Sequence, residues 1–408
     1  FRARADEPLR VCLEGNSVNL NEVVIKSDKP ITRIEGDALV TTVKGTILAR
    51  LGNAIDVIGR LPGVISNQGG IEVFGKGTPV IYINGRKVDN YNLLEQLKSN
   101  KIKKVEVVTN PGARYDATVK AVIRITTERE QGEGFAFDNT SKLGYRDYLF
   151  GSEIVNMNYR INQLDIFADL EYSRSKVKGT SSNLQNTWLA SLYTQDIAMQ
   201  SMGRSQTYDG RIGFNYMFSP VHSLGLYYKV THTPGNTWST YQTKSWIDNA
   251  LEEQSSIVHN THNHTMTHNI DGYYINTIGK WTLNAAFDIL WKNGKAEEHN
   301  QETNQNTANR TITSNDDSNS SMFAGELHLS RPLWKGQISL GTECSNTKRE
   351  ERFINIEHVL ADNLPLIKEN NTAVYVELMQ RLGKITFQLG GRYEHVNSNY
   401  YQNKQKVN

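Results

Sequence analysis

Cysteine is nearly absent from the 408-residue chain, which holds only Cys12 and Cys344. Their separation, with no Cys-x-x-Cys spacing, excludes a cysteine-built zinc or redox site, and no bridge is assigned to them. Long apolar runs are missing too: no window approaches about 18 consecutive apolar residues, so no helix is built to cross a membrane. The mean hydropathy of -0.53 agrees. A membrane β-barrel escapes this test, because only every second residue of its strands meets lipid while its lumen and outer loops are polar. Charge of one sign is also lacking. Lys and Arg total 45 against 43 Asp and Glu, with no basic run, which removes the case for a nucleic-acid partner. At 38% hydrophobic residues the chain is too apolar for disorder and long enough for two domains. No charged-then-apolar leader follows Phe1, and Lys404 to Asn408 bring no closing pattern, so the sequence reads as a fragment cut at both ends.

Catalytic motifs are equally scarce. There is no His-Glu-x-x-His, no Gly-x-Ser-x-Gly and no carboxylate dyad, so the chain reads as a non-enzyme without a cofactor. GIEVFGKGT nearly matches a phosphate-binding loop at Gly70, Gly75 and Lys76, but Gly77 stands where Ser or Thr is needed. HNTHNHTMTH gathers His259, His262, His264 and His268, and His262, His264, Met266 and His268 would share one strand face that could hold a soft or borderline metal. Register from a turn at Thr277 to Lys280 leaves His262 and His264 beyond the membrane-spanning part. It also puts the histidines on the face opposite Asn269 and Asp271. The cluster reads as solvated surface.

What is present falls into two kinds of sequence, meeting near Glu128 to Gly134. In the first, Gly52 to Arg60 reads as a helix ended by Leu61-Pro62-Gly63, and Gly70 to Phe74 as a strand. PVIYI followed by Asn84-Gly85 reads as a hairpin with a type I′ turn. Asn90 can cap a short helix whose Tyr91, Leu94 and Leu97 share a face. Lys104 to Thr109 is a strand stopped by Asn110-Pro111-Gly112, and Ala121 to Thr127 another. Together they predict a small α+β domain.

In the second, alternation is strict. Trp281, Leu283, Ala285, Phe287, Ile289 and Trp291 fall on one face, with Thr282, Asn284, Ala286, Asp288, Leu290 and Lys292 on the other. Leu164, Ile166, Ala168, Leu170 and Tyr172 repeat this against Asp165, Asp169 and Glu171. So do Ile212, Phe214, Tyr216 and Phe218 against Arg211 and Asn215, and Ile385, Phe387, Leu389 and Tyr393 against Gln388, Arg392 and Glu394. One face suits lipid and the other a wet lumen. Short connections near Asn162-Gln163, Ser219-Pro220, Gly279-Lys280, Arg331 to Gly336 and Leu382-Gly383 alternate with polar stretches that read as long outer loops, Gln301 to Ser321 the clearest. Roughly eleven strands follow Gly134 at about ten residues per membrane strand. Soluble antiparallel sandwiches alternate too. The loop lengths, the ring-bearing segment ends (Tyr159, Phe218, Trp281, Trp334) and the inward charges favour the barrel.

PVIYINGRKVD, then KVEVVTNPGARYDATVKAVIRITT, preceded by NAIDVIGRLPGVI, resembles the plug domain of TonB-dependent outer-membrane receptors, several motifs recurring in order over about a hundred residues. The signature positions are Pro62, Gly63, Asn84, Gly85, Glu106, Asn110, Pro111, Arg114, Tyr115 and Asp116. Val119 and Val122 depart from the glycines usual after YDAT. LNEVVIKS resembles the segment that binds the periplasmic energy-coupling protein, through Leu20, Asn21, Glu22, Val23, Val24 and Ile25. The β-propensity of Val23 to Ile25 suits strand addition to a partner's sheet, although an ordinary strand of a preceding domain fits as well. Residues 1–19 look like the tail of an Ig-like, carboxypeptidase-regulatory-like β-domain.

The resemblance implies a coupling segment at 20–29, an α+β plug domain at 30–130 and an antiparallel transmembrane β-barrel at 131–408, incomplete here with roughly half of about 22 strands. It implies the outer membrane of a Gram-negative bacterium, with the plug at the periplasmic side of the lumen. Active import follows, energised by the inner-membrane proton gradient through a TonB-type periplasmic partner. The other partners implied are the lipid bilayer and an extracellular ligand, with a surface lipoprotein as a candidate. The ligand itself, iron chelate, glycan or peptide, is not legible. A surface receptor that signals without transport is the alternative reading, and a passive channel the third.

Overall fold

The computed structural model describes residues 29–407 apart from 68–69, 89–90, 117, 129–131, 189, 220 and 384. The coupling segment Leu20 to Ile25 and the stretch before it lie outside the described residues. The chain folds as two compact units. The described part of the first is residues 29–109 and 120–128; the second takes residues 110–119 together with everything from 132 onward.

The first unit runs β1 (Thr32–Glu35), β2 (Ala38–Thr42), α1 (Ala54–Ile58), β3 (Val64–Asn67), β4 (Gly70–Val73), β5 (Val80–Ile83), β6 (Arg86–Lys87), α2 (Asn92–Gln96), β7 (Ile102–Val108) and β8 (Val122–Thr127). Its six-stranded sheet has the order β1-β2-β7-β8-β5-β6, with β3 and β4 as a separate hairpin. Only β5 and β8 pair in parallel. Asn53 starts α1 with a capping box: its side chain accepts from the Asp56 amide at 3.0 Å, and the Asp56 carboxylate accepts from the Asn53 amide at 3.2 Å. That cap corrects the longer helix expected from Gly52 to Arg60. Gly52, at φ +118°, lies outside the helical region, and Gly59 closes the element. Tyr91, expected on the buried face of α2, instead holds the N-cap position and is exposed. Leu94 is the fully buried member.

The expected hairpin forms, with Asn84 at φ 51° and Gly85 at φ 83°, the positive pair that a type I′ turn requires. Val43, Val57, Ile58, Ile71, Ile102, Val105, Ile123 and Ile125 close one core, each such side chain stabilising by about 1.5–3 kcal/mol. Gly75 and Gly77 turn the chain from β4 toward β5. No helix opens there to receive a phosphate.

The second unit is an antiparallel sheet in which each strand pairs with the next in sequence: β9 (Gly134–Arg146), β10 (Tyr148–Ile161), β11 (Leu164–Trp188), β12 (Leu192–Ser219), β13 (His222–Ile247), β14 (Ala250–Ile278), β15 (Trp281–Asn304), β16 (Arg310–Leu333), β17 (Gly336–Asn355), β18 (Pro365–Leu382), β19 (Ile385–Gln402) and β20 (Gln405–Val407). The first eleven are long; β20 has three residues. Among the described residues the ladder does not close on itself.

The tight connections expected at Asn162-Gln163, Gly279-Lys280, Leu382-Gly383 and their counterparts are present. The long loops expected between them are not. At that end the chain turns over stretches ranging from the single residue Asp147 to residues 356–364. Gln301 to Ser321 is mostly strand, with Asn300 opposite Ile312, Glu302 opposite Arg310 and Lys295 opposite Asp317. Backbone pairing is indifferent to side-chain polarity, so Asn, Thr and Ser can continue a ladder as well as leave it. The 24 residues of β15 span roughly 80 Å at the rise of a strand, whereas crossing a bilayer takes about ten residues. The apolar alternation ends where the membrane would, and the strands run on.

Candidate functional site

The pairing registers carry one face across all the long strands. Asp169 faces Arg211, Arg211 faces Lys229, and Lys229 faces Asn269; further along, Ala286 faces Glu326 and Glu326 faces Glu343. Every inward residue expected from the sequence falls on this face. Several of its charges pair across strands. Arg160 pairs with Asp165 at 3.0 Å, Arg211 with Asp169 at 2.5 Å, and Lys229 with Asp209 at 3.0 Å, where the Thr231 hydroxyl also donates at 2.8 Å. The opposite face carries Leu170, Ile212, Leu226, Phe287, Phe323, Leu327, Val376 and Leu389, all exposed. A sheet that buries charge and exposes leucine is matched to hydrocarbon outside and water within.

On the charged face, β16 to β19 build a dense polar cluster. Gly341 stands between His328 and Tyr375 in the register. With no side chain there, the Tyr375 ring crosses the strand and its hydroxyl meets His328 Nδ1 at 2.8 Å, both residues buried. A Cβ at Gly341 would strike that ring. Arg392 forks between Glu343 at 2.8 Å and Glu394 at 3.3 Å, and Asn371 donates to Glu394 at 2.6 Å.

Against this cluster lies the segment Asn110 to Val119, the NPGARYDATV stretch singled out in the sequence. Arg392 also donates to the Arg114 carbonyl at 3.5 Å, and the Arg114 guanidinium acts electrostatically on Glu326, His328 and Tyr375. Gly112 admits the carboxylate of Glu377 and the amide of Gln388 where any Cβ would sit, and a Cβ on Gly390 would come within 2.7 Å of the Ala113 methyl. The segment holds its own shape. Tyr115 is buried, its amide donating to the Gly112 carbonyl at 3.1 Å. Asp116 accepts from the Thr118 amide at 2.7 Å and from its hydroxyl at 2.5 Å. Those two bonds, with the Arg392 charge, hold the Asp116 carboxyl below its ordinary range.

The other signature residues serve the first unit. Pro62 and Gly63 form the turn after α1, where Gly63 takes φ +77° and its carbonyl receives the Phe74 amide at 2.9 Å. Asn84 clasps β8, donating to the Thr127 hydroxyl at 2.8 Å and accepting from the Thr127 amide at 3.0 Å. Glu106 sits between Lys104 and Arg124, and Arg124 continues to Asp37 at 2.8 Å. Glu326, His328, Glu343, Tyr375 and Glu377 carry no motif of their own in the sequence; their signal is the same period-two spacing that marks the inward face.

His262, His264 and His268 lie on the outward face, as their spacing from Asn269 implies, and His259 lies on the inward one. His268 meets the Tyr228 hydroxyl at 2.6 Å, His262 bonds Asn236, and the His264 ring lies 6.4 Å from that of His232. Among the described residues no three His, Cys, Asp or Glu converge as metal ligands.

Residues 279–408 match the model of the outer membrane protein beta-barrel family. No curated protein matches the chain. Solved structures similar to it include the ferric yersiniabactin uptake receptor FyuA from Yersinia pestis, 11% identical over 88% of this chain and 72% of that one, with a TM-score of 0.33. The ferric citrate transporter FecA in its unliganded form is 12% identical over 90% and 67%, with a TM-score of 0.35. The siderophore receptor PirA from Pseudomonas aeruginosa is 9% identical over 90% and 92%, with a TM-score of 0.29.

Proposed function

We propose that this outer-membrane β-barrel protein is a TonB-dependent importer, in which the first unit together with the Asn110 to Val119 segment of the second acts as the plug of a pore, that segment resting on the barrel wall. The plug motifs of the sequence support the reading. The single observation that carries it is the polar seat of that segment against β16 to β19.

The chemistry of the seat suits a part that must move. Its contacts with the wall are the hydrogen bond from Arg392 to the Arg114 carbonyl and the close approaches at Gly112 and Gly390, and such a hydrogen bond contributes about 0.5–1.5 kcal/mol. The apolar core of the first unit is held by side chains stabilising by about 1.5–3 kcal/mol apiece. Force applied through the chain therefore parts the seat before it unravels the core. Ligand binding outside exposes the coupling segment Leu20 to Ile25, the periplasmic partner adds it as a strand, and its pull frees the seat so that the ligand passes.

The coupling step is tested with a peptide spanning Leu20 to Ser27, which binds the periplasmic domain of the partner; equal binding by a Val24→Pro peptide sinks strand addition. The gating step is tested in the full-length protein by joining Ala113→Cys to Gly390→Cys, whose Cβ atoms, 2.7 Å apart as placed, reach disulfide spacing when the segment backs off by about 1 Å. Oxidation then stops growth that depends on this protein, under iron limitation or on a complex carbon source, and a reductant restores it. Undiminished growth with the crosslink in place rules out import by release of this segment.

A further inference from the structure

Beyond the apolar belt, the outward face of β11 and β12 turns basic. Leu164, Ile166, Ala168, Leu170 and Tyr172 face outward along β11, and the next three outward positions are Arg174, Lys176 and Lys178. On β12, Tyr208 lies opposite Tyr172, their rings 5.1 Å apart, and Arg204 lies directly opposite Lys176. Like charges face to face weaken a sheet. No carboxylate relieves this pair: among the described residues none bridges Arg174, Lys178 or Arg204. Lys176 rests on the Tyr148 ring at 3.9 Å. The outward residues at this level on β13 are Pro234, Asn236 and Trp238. Glu153, the outward carboxylate opposite Tyr172, is occupied by Asn139 and Ser141.

The depth of the patch identifies what meets it. Tyr172 and Tyr208 end the belt as an aromatic rim, the position of ring side chains at a membrane interface. Lys176 stands about 13 Å farther up a tilted strand, past the hydrocarbon and at headgroup level. The patch lies at the end where the strands run on past the belt, which in outer-membrane barrels is the outer side.

We propose that Arg174, Lys176, Lys178 and Arg204 bind the phosphate groups of an anionic lipid in the outer leaflet. Phosphate oxygens accept charge-assisted hydrogen bonds from both guanidinium and ammonium groups. A shared anion also turns the Lys176 and Arg204 repulsion into a bridged pair. The site lies on the lipid side of the wall, apart from the seat of Asn110 to Val119, so it stands or falls independently of import.

The probe is diphosphoryl lipid A beside the same lipid with its phosphates removed, offered to the full-length protein in a non-ionic detergent and read as retained lipid by native mass spectrometry. The wild type retains the phosphorylated form about tenfold or more over the other, the scale expected for two cations at an anionic surface. The K176Q/R204Q variant loses the preference. The K295Q/R352Q variant, which removes two outward cations flanking Asp317, keeps it. If K176Q/R204Q does not assemble, R174Q/K178Q takes its place with the same expected loss. A preference that survives in the basic-patch variant, is absent from the wild type, or falls equally in K295Q/R352Q overturns the assignment.

Discussion

Strands β8 and β15 use apolar side chains to opposite ends. In β8, Val122, Ile123 and Ile125 are almost wholly buried at the centre of the small sheet. In β15, Phe287 and Trp291 stand 39% and 42% exposed, while Thr282, Asn284 and Asp288 take the other face. Both arrangements follow from one rule, that apolar surface leaves water. Only the place it goes differs: a core in the first unit, hydrocarbon around the second. A near-continuous apolar run points to the first destination, strict alternation to the second.

Substitutions separate the two cases. Ile123→Ala opens a cavity in the packed core and costs about 2–5 kcal/mol, measured as lost protease resistance of the first unit. Leu327→Arg, at the middle of the outward belt, costs about 2–4 kcal/mol, measured by folding titration into bilayers. Ala286→Arg, on the opposite face of the neighbouring strand, is tolerated in the same titration. Equal costs at 327 and 286 would erase the distinction between faces. Asn53→Ala removes the capping box of α1 and costs about 1 kcal/mol, read as a lower denaturation midpoint of the first unit. The smallest effect is electrostatic. Because the Asp116 carboxyl titrates below its ordinary value of 3.8, it contributes stability that is fully present above that value and is lost as pH falls through the lower one. The seat of Asn110 to Val119 therefore holds unchanged at neutral pH and loosens only in strong acid, and Asp116→Asn flattens that dependence in amide exchange.

Much of this was legible in the chain. Asn84-Gly85 specifies its turn because few other pairs accept two positive φ values, and the inward and outward faces of β11, β12, β15 and β19 follow from a period of two. The family match over residues 279–408 meets the expectation of an outer-membrane barrel. What composition misjudged was the polar half of each hairpin. Gln301 to Ser321 has the residues of a loop, yet the ladder it extends is made by backbone groups that every residue carries. The seat was illegible for another reason. Arg114 and Arg392 lie 278 residues apart, and nothing local in either sequence names the other. Gly341 likewise looks like an ordinary interruption of a strand until Tyr375 is seen lying across it.

The assignment of the two faces requires that the alternating apolar face of the second unit meets lipid. Spin labels placed one at a time from 281 to 292 in the full-length protein, with Cys12→Ser and Cys344→Ser, test it in bilayers by collision with oxygen and with a water-soluble nickel chelate. Oxygen accessibility must peak at 283, 285, 287, 289 and 291, and nickel accessibility at the positions between. Two reagents rising and falling together, or oxygen peaking at the even positions, would contradict it.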